Sequence, residues 1–295
     1  DVQQWLLLQG GRMNYITIAN FTHGGSKIRG LQTLADIPAN STLIAVPRAL
    51  FITGEDVDPQ EFSIPVRDMQ ENSDLFLAVR FWQLFSRGRS SQWFPYLRLL
   101  PSSDEYARFH PMYADDVVMQ ACSALPTIQK VRRARRRVER TFKEANLQRR
   151  IPWQAFWHSY VTYISRSYGV VMRSRQGDMK WQPVSVPVAD MGNTASQGEI
   201  NTRWRYDSRS QLFLLESTKA IPAGSELFES YQISSLKDNA HLAYMFGLTL
   251  DDNPVKVKRL TPQECLKLEE DCLSAAKSQL SQLLRTLVRE HCDKK

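Results

Sequence analysis

Between Tyr15 and Thr53 apolar and polar positions alternate over short runs, YITIANF and then LQTLADIPANSTLIAVP, separated by the glycine-rich bend HGGSKIRG. That period of two predicts short strands joined by turns. From about Asp56 to Gln148 the spacing becomes helical. SDLFLAVRFWQLF is apolar nearly all round and is expected to be a buried helix; WFPYLRLLP follows, with Pro101 and Pro111 as punctuation. KVRRARRRVER, residues 130–140, sets Val131, Ala134 and Val138 at helical spacing, which makes an amphipathic helix with basic outer faces. The aromatic-rich run 151–172 reads as a further helix, strands return from Pro183 to Tyr231, and Thr261 with Glu264 forms a capping-box signature ahead of a long helix.

Two features stand out from this alternation. IPANSTL (37–43) and IPAGSEL (221–227) share the pattern Ile-Pro-Ala-x-Ser-x-Leu between strand-like runs. Proline suits the second position of a type I turn, and Asn40 and Gly224 tolerate positive φ. Either two similar hairpins flank the helical stretch, or a common turn recurs by chance. Between the repeats, VPVADMGNTASQGEINTRWRYD (186–207) passes from an apolar run into a polar knot at Asp190, Gly192 and Asn193, then back to alternation.

Composition narrows the class. With 295 residues, 42% hydrophobic and 10% aromatic, the chain can bury the core of one or two globular domains. It has no run of about 18 uncharged apolar residues and no signal-peptide pattern, so neither a membrane span nor a signal peptide is read within it. The chain starts at Asp1. Cys122, Cys265, Cys272 and Cys292 lack CxxC or Cys/His ligand spacing. That favours a reducing intracellular compartment, whether cytoplasm, nucleus or an organelle reached by import, and argues against structural zinc. A net charge of +7 directs attention to an acidic partner. No aromatics interleave with the arginines of 130–140, which weighs against a single-strand nucleic-acid platform. A solvated helix face or a contact with an acidic protein surface are the remaining readings.

The pieces, in this order, resemble the SET-domain protein methyltransferases, and within them the subfamily similar to the Rubisco large-subunit lysine methyltransferase, which carries a helical insert in the SET domain. The resemblance rests on GLQTLADIPANSTLIAVPRALFIT, WFPYLRLLP, SRSY (165–168), PVADMGNT (187–194), and FESY (228–231) followed by NAHLAYMFGLTLDDNP (239–254), and spans about residues 10–260. It implies an α+β fold: a SET-domain β-fold of short strands with a pseudoknot in 1–58 and 151–254, a mainly helical insert in 59–150, and a reduced C-terminal helical segment, 255–295.

It also implies a monomeric, metal-free enzyme that methylates lysine on a protein substrate, uses S-adenosylmethionine and releases S-adenosylhomocysteine. Asn193 and Asp190 take the positions of the family's Asp-x-x-Asn motif, and an amide offers both a donor and an acceptor to the cofactor's amino-acid end. Lys27, Ile28, Arg29 and Gly30 supply the first cofactor loop, Ser165 and Arg166 a second stretch, and Thr194 the position after the asparagine. Tyr231 is the catalytic tyrosine and also borders the cofactor. Tyr168, Tyr244 and Phe246 are expected to wall the substrate channel. An aromatic at 168 favours lysine over histidine, since a histidine-methylating branch has Asn there. An apolar channel lowers the lysine pKa from about 10.4 by desolvation. Three departures qualify the match. Thr194 replaces a histidine; Ile28 replaces the first glycine of Gly-x-Gly-Leu, with Gly24 and Gly25 available to compensate; and the loop QISSLKD (232–238), expected at the substrate entrance, is longer than in typical relatives. They keep two alternatives open, a catalytically weak SET-like protein-binding module and a protein-histidine methyltransferase. A nucleic-acid-binding protein rests on charge alone.

Overall fold

The computed structural model describes residues 1–23, 26–62, 73–231, 237–275 and 278–292. Gly24, Gly25 and most of the 232–238 loop, to which compensating and entrance roles were assigned, lie outside the described residues. Two compact units are present, residues 1–100 with 149–231, and residues 101–148 with 232–295. The first takes in part of the expected 59–150 insert, because helix Ser73–Ser86 packs along helix Trp153–Arg166 through nearly all-apolar faces.

Strands β1 (Arg12–Met13), β2 (Ile16–His23), β3 (Ser26–Thr33), β4 (Thr42–Pro47), β5 (Ile52–Thr53), β6 (Ser167–Arg173), β7 (Met179–Ser185), β8 (Thr202–Asp207) and β9 (Leu212–Ser217) belong to the first unit. They form an antiparallel sheet of order β1-β4-β9-β8, the hairpin β2-β3, and a sheet of order β5-β7-β6. The central strands β4 and β9 are buried along almost their whole length, which is why LIAV and LFLL read as continuous apolar runs rather than alternation.

Ile37 and Ile221 exchange both backbone hydrogen bonds, at 2.8 and 2.9 Å. The two Ile-Pro-Ala repeats therefore pair with each other, and Asn40 and Gly224 hold φ of +60° and +78°. The recurrence is structural. The 151–172 run differs from its sequence reading: it is helical only to Arg166, and 167–173 is strand β6, in register with β7 from Ser167↔Ser185 to Arg173↔Met179. Local aromatic periodicity hid the change. Gly169 and the β-branched pair Val170–Val171 favour extended backbone once a partner strand satisfies their N–H and C=O groups, and Gly169 leaves room for the Trp181 indole.

In the second unit the basic helix Pro126–Glu144 buries Ile128, Val131, Ala134, Val138 and Phe142 and turns Arg133, Arg136, Arg140 and Lys143 outward. Helix Asn239–Phe246 is capped by Asp238 and ends at Gly247, whose φ is +71°, against the Phe109 ring. The Thr261–Glu264 capping box forms, but the expected long C-terminal helix is broken. Helix Pro262–Lys267 runs into a π-helical turn at Leu268–Cys272, and helix Ser278–Cys292 follows after a further short helical turn. Disulfides Cys122–Cys272 and Cys265–Cys292 cross-link these pieces. All four cysteines are thus paired, although none lies in a CxxC spacing. Spacing could not show the pairing, because Cys122 and Cys272 are 150 residues apart. Among the described residues no helix is long and apolar enough to cross a membrane, and no group of three or more His, Cys, Asp or Glu side chains is arranged to hold a metal ion.

Cross-linking so long a loop removes denatured-state entropy, a stabilisation of about 3–5 kcal/mol in the chain-entropy model. Cys272→Ser in the oxidised protein is expected to lower the stability of the second unit by about 3 kcal/mol in urea unfolding; an unchanged midpoint would contradict this.

Candidate active site

Residues 186–194 enter the first unit's interior as an apolar segment and turn sharply there. Val188 is fully buried with φ +73°, a conformation that costs a β-branched residue about 1–3 kcal/mol and is held only by surrounding packing. It turns the chain into the 3-10 turn Ala189–Met191, which carries Asp190 inward. Asp190 Oδ2 accepts from the Tyr96 hydroxyl at 2.7 Å, and Arg166 Nη1 donates to the Asp190 carbonyl at 3.0 Å and lies 3.4 Å from Oδ2. Arg166 reaches Asp190 because it is the last residue of its helix. Burial pushes the Asp190 carboxyl up, and Arg166 and Tyr96 hold it down in part.

A second irregular segment, 226–231, closes on the first. The Glu229 N–H donates to the Asn193 carbonyl at 2.8 Å beside a parallel bridge between Asn193 and Phe228. The Phe228 N–H donates to Asn201 Oδ1 at 2.8 Å, and the Phe228 carbonyl accepts from the N–H groups of Asn201 and Thr202. The two segments interlace, and Tyr231 is brought over the knot, where its hydroxyl donates to the Gly192 carbonyl at 2.8 Å and its N–H lies 3.4 Å from the Thr194 hydroxyl.

A cradle opens beside Asn193. Its Nδ2 donates to Glu226 Oε1 at 2.7 Å and to the Arg29 carbonyl at 3.1 Å, and Glu226 Oε2 lies 2.7 Å from His23 Nε2. A Cβ on Gly30 would stand 2.7 Å from Asn193 Nδ2 and 2.8 Å from Glu226 Oε1, so only glycine lets β3 lie this close to the two side chains.

The fold thus gathers Arg29, Gly30, Arg166, Asp190, Asn193, Thr194 and Tyr231. Tyr168 joins them, its ring against Trp204 and Phe213 and its hydroxyl donating to Glu229 Oε1 at 2.6 Å. Lys27 and Ile28 are exposed on the β2-β3 hairpin, Ile28 at 41%. The Ser165 hydroxyl donates back along its own helix to the Val161 carbonyl at 2.9 Å. Tyr244 and Phe246 lie on helix Asn239–Phe246 of the second unit.

Sequence reasoning missed Tyr96, Glu226 and Glu229. The available signal was two carboxylates in SELFESY, where Glu229 shares the period-two face of Tyr231. Glu229 is 2% exposed. Burial, reinforced by the Asp190 charge, pushes its carboxyl up to about 8, against the stabilising Tyr168 hydrogen bond. Burial and then the Glu229 charge push the Tyr231 phenol upward as well.

No protein-family model matches the chain, and no curated protein matches it in sequence. Solved structures do. The SET domain of LSMT bound to lysine and AdoHcy superposes with a TM-score of 0.61 at 19% identity, covering 84% of this chain and 56% of that one. Rubisco LSMT bound to AdoMet gives 0.62 at 20%, covering 94% and 63%, and Rubisco LSMT bound to sinefungin and monomethyllysine gives 0.60 at 19%, covering 84% and 55%. The chain has the SET-domain fold, and it spans about 55–63% of the length of these neighbours.

A carboxyl raised by folding is favoured in its neutral form. The stability that Glu229 contributes is complete below the ordinary glutamate range, is lost as pH rises from about 4.5 to about 8, and levels beyond. The stability of the wild type relative to Glu229→Gln is expected to fall across that window by at most about 1.4 kcal/mol per pH unit, read as a pH series of melting temperatures. A pH-independent difference would count against a buried neutral carboxyl.

Proposed function

We propose that the chain is an S-adenosylmethionine-dependent protein-lysine N-methyltransferase. The observation that carries this reading is the Gly30–Asn193–Glu226 cradle beside Tyr231, in a fold whose solved neighbours hold AdoMet, AdoHcy and lysine. The residues present fit the cofactor. Its amino-acid end bears an ammonium and a carboxylate; Asn193 and Glu226 offer acceptors for the first, Arg166 is the nearby cation for the second, and Gly30 provides room for close approach. When bound, the cofactor supplies an electrophilic methyl group. The chain's own contribution is alignment and exclusion of water, with Tyr231 orienting the target nitrogen and the Tyr168 ring walling the site.

The finer assignments are part of the same proposal: Tyr231 as catalytic residue, Arg29, Gly30, Arg166, Asp190, Asn193 and Thr194 around the cofactor, and Tyr168 along the channel. A protein substrate with an acidic surface suits the outward arginines of helix Pro126–Glu144.

Calorimetric titration with S-adenosylhomocysteine tests the cradle directly. Asn193→Ala and Gly30→Ala are each expected to weaken binding about tenfold or more, the loss of one well-placed contact to a charged group, and unchanged affinity in both would remove the proposed site. Tyr231→Phe is expected to keep that affinity while cutting methyl transfer by about a hundredfold or more, followed as radiolabel incorporated into cell-extract protein.

A further inference from the structure

We propose that Glu229 is a proton-accepting catalytic residue that receives the cationic nitrogen of the target and takes its proton. This rests on the methyltransferase reading of the same cluster.

The geometry carries it. Glu229 Oε1 is occupied by the Tyr168 hydroxyl at 2.6 Å, whereas Oε2 is buried and has no hydrogen-bond partner among the described residues. In the neutral carboxyl Oε2 carries the proton, and a buried polar group left unsatisfied costs about 1–3 kcal/mol. The carboxyl stands at the reacting end of the site, since a Cβ on Gly192 would lie 3.2 Å from Oε1 and the carbonyl of that residue receives the Tyr231 hydroxyl. The groups that face it are Tyr168 from β6, Asp190 from the 3-10 turn, and Tyr231 from its own segment. The nearby cation is Arg166, whose guanidinium is bonded to Asp190. A lysine ammonium beside Oε2 would bring a positive charge to the Glu229 carboxyl and favour its ionised form.

The chemistry agrees with the charge count. A carboxyl held near 8 and a lysine amine lowered from about 10.4 by desolvation approach each other in proton affinity, the condition under which proton transfer in a buried pair costs least. On lysine binding the neutral carboxyl first loses its own proton to solvent, breaking the O–H bond at Oε2 beside the incoming ammonium. One N–H bond then breaks as the O–H bond re-forms at Oε2, the electron pair stays on nitrogen as the nucleophile, and the resting neutral carboxyl is restored with one proton released per turnover. A histidine acceptor, already mostly neutral at pH 7, has no such proton to remove.

Free L-lysine is the probe, titrated into protein saturated with S-adenosylhomocysteine in buffers of different ionisation enthalpy. Near pH 7 the wild type is expected to bind lysine with release of about one proton, because the neutral carboxyl ionises beside the ammonium. Glu229→Gln is expected to keep the S-adenosylhomocysteine affinity, bind lysine at least about tenfold more weakly, and release no proton. In the wild type alone, proton release is expected to decline through about pH 8 and vanish above it. Equal release in both proteins, a flat wild-type profile, or no lysine binding by protein that does bind S-adenosylhomocysteine would each overturn the assignment while leaving the cofactor site standing. Failure of S-adenosylhomocysteine itself to bind would instead remove the methyltransferase reading, and this inference with it.

Discussion

The hydrogen bond from the Glu229 N–H to the Asn193 carbonyl, with the parallel bridge between Asn193 and Phe228, joins two stretches of chain that belong to no regular sheet. Buried backbone without a ladder must find partners elsewhere. Here 190–194 and 226–231 satisfy one another, with Asn201 lending its amide to Phe228. Everything chemically distinctive in the first unit follows from that exchange. It sets Asn193 against the Gly30 strand, carries Tyr231 over Gly192, and brings Glu229 to Tyr168. Because the tie is made by main chain, the side chains around it can vary while the frame persists, and Thr194 in place of the expected histidine leaves the Tyr231–Gly192 bond in place.

Holding such a knot in the interior brings carboxyls with it. Asp190 is tolerated because Tyr96 and Arg166 arrive from two different helical segments to bond it. Glu229 is tolerated because burial keeps it neutral over most of the physiological range. The turn that delivers Asp190 passes through Val188 at positive φ, and strain of this kind persists where packing overdetermines the backbone. Strain, buried acid and backbone exchange thus coincide at the same few residues, the combination expected where local rules yield to function.

The second unit is built on other terms. Its basic helix has a strong apolar stripe and a solvated face, and its C-terminal helices are held by two disulfides in addition to their cores. A segment of this size has limited surface to bury, and covalent ties compensate by restricting the unfolded chain.

Sequence alone determined much of this. Period-two runs marked most of the strands, the Val131–Ala134–Val138 spacing marked the basic helix, the Ile-Pro-Ala repeats marked the two turns that pair, and the ordered motifs pointed to the SET fold and to Asn193, Asp190, Arg166 and Tyr231, which that fold gathers. These signals are local, and local spacing is enough to carry them. Tertiary structure decided the rest. The strand after Arg166 exists only because β7 lies alongside it; the π-helical turn sits where Cys272 meets Cys122; Ile28 is exposed and the Ser165 hydroxyl turns back along its own helix; and Glu229 and Tyr96 matter because of what stands opposite them. Pairing, burial and charge balance are properties of neighbours distant in the chain. A one-dimensional pattern holds no record of which residues those neighbours are.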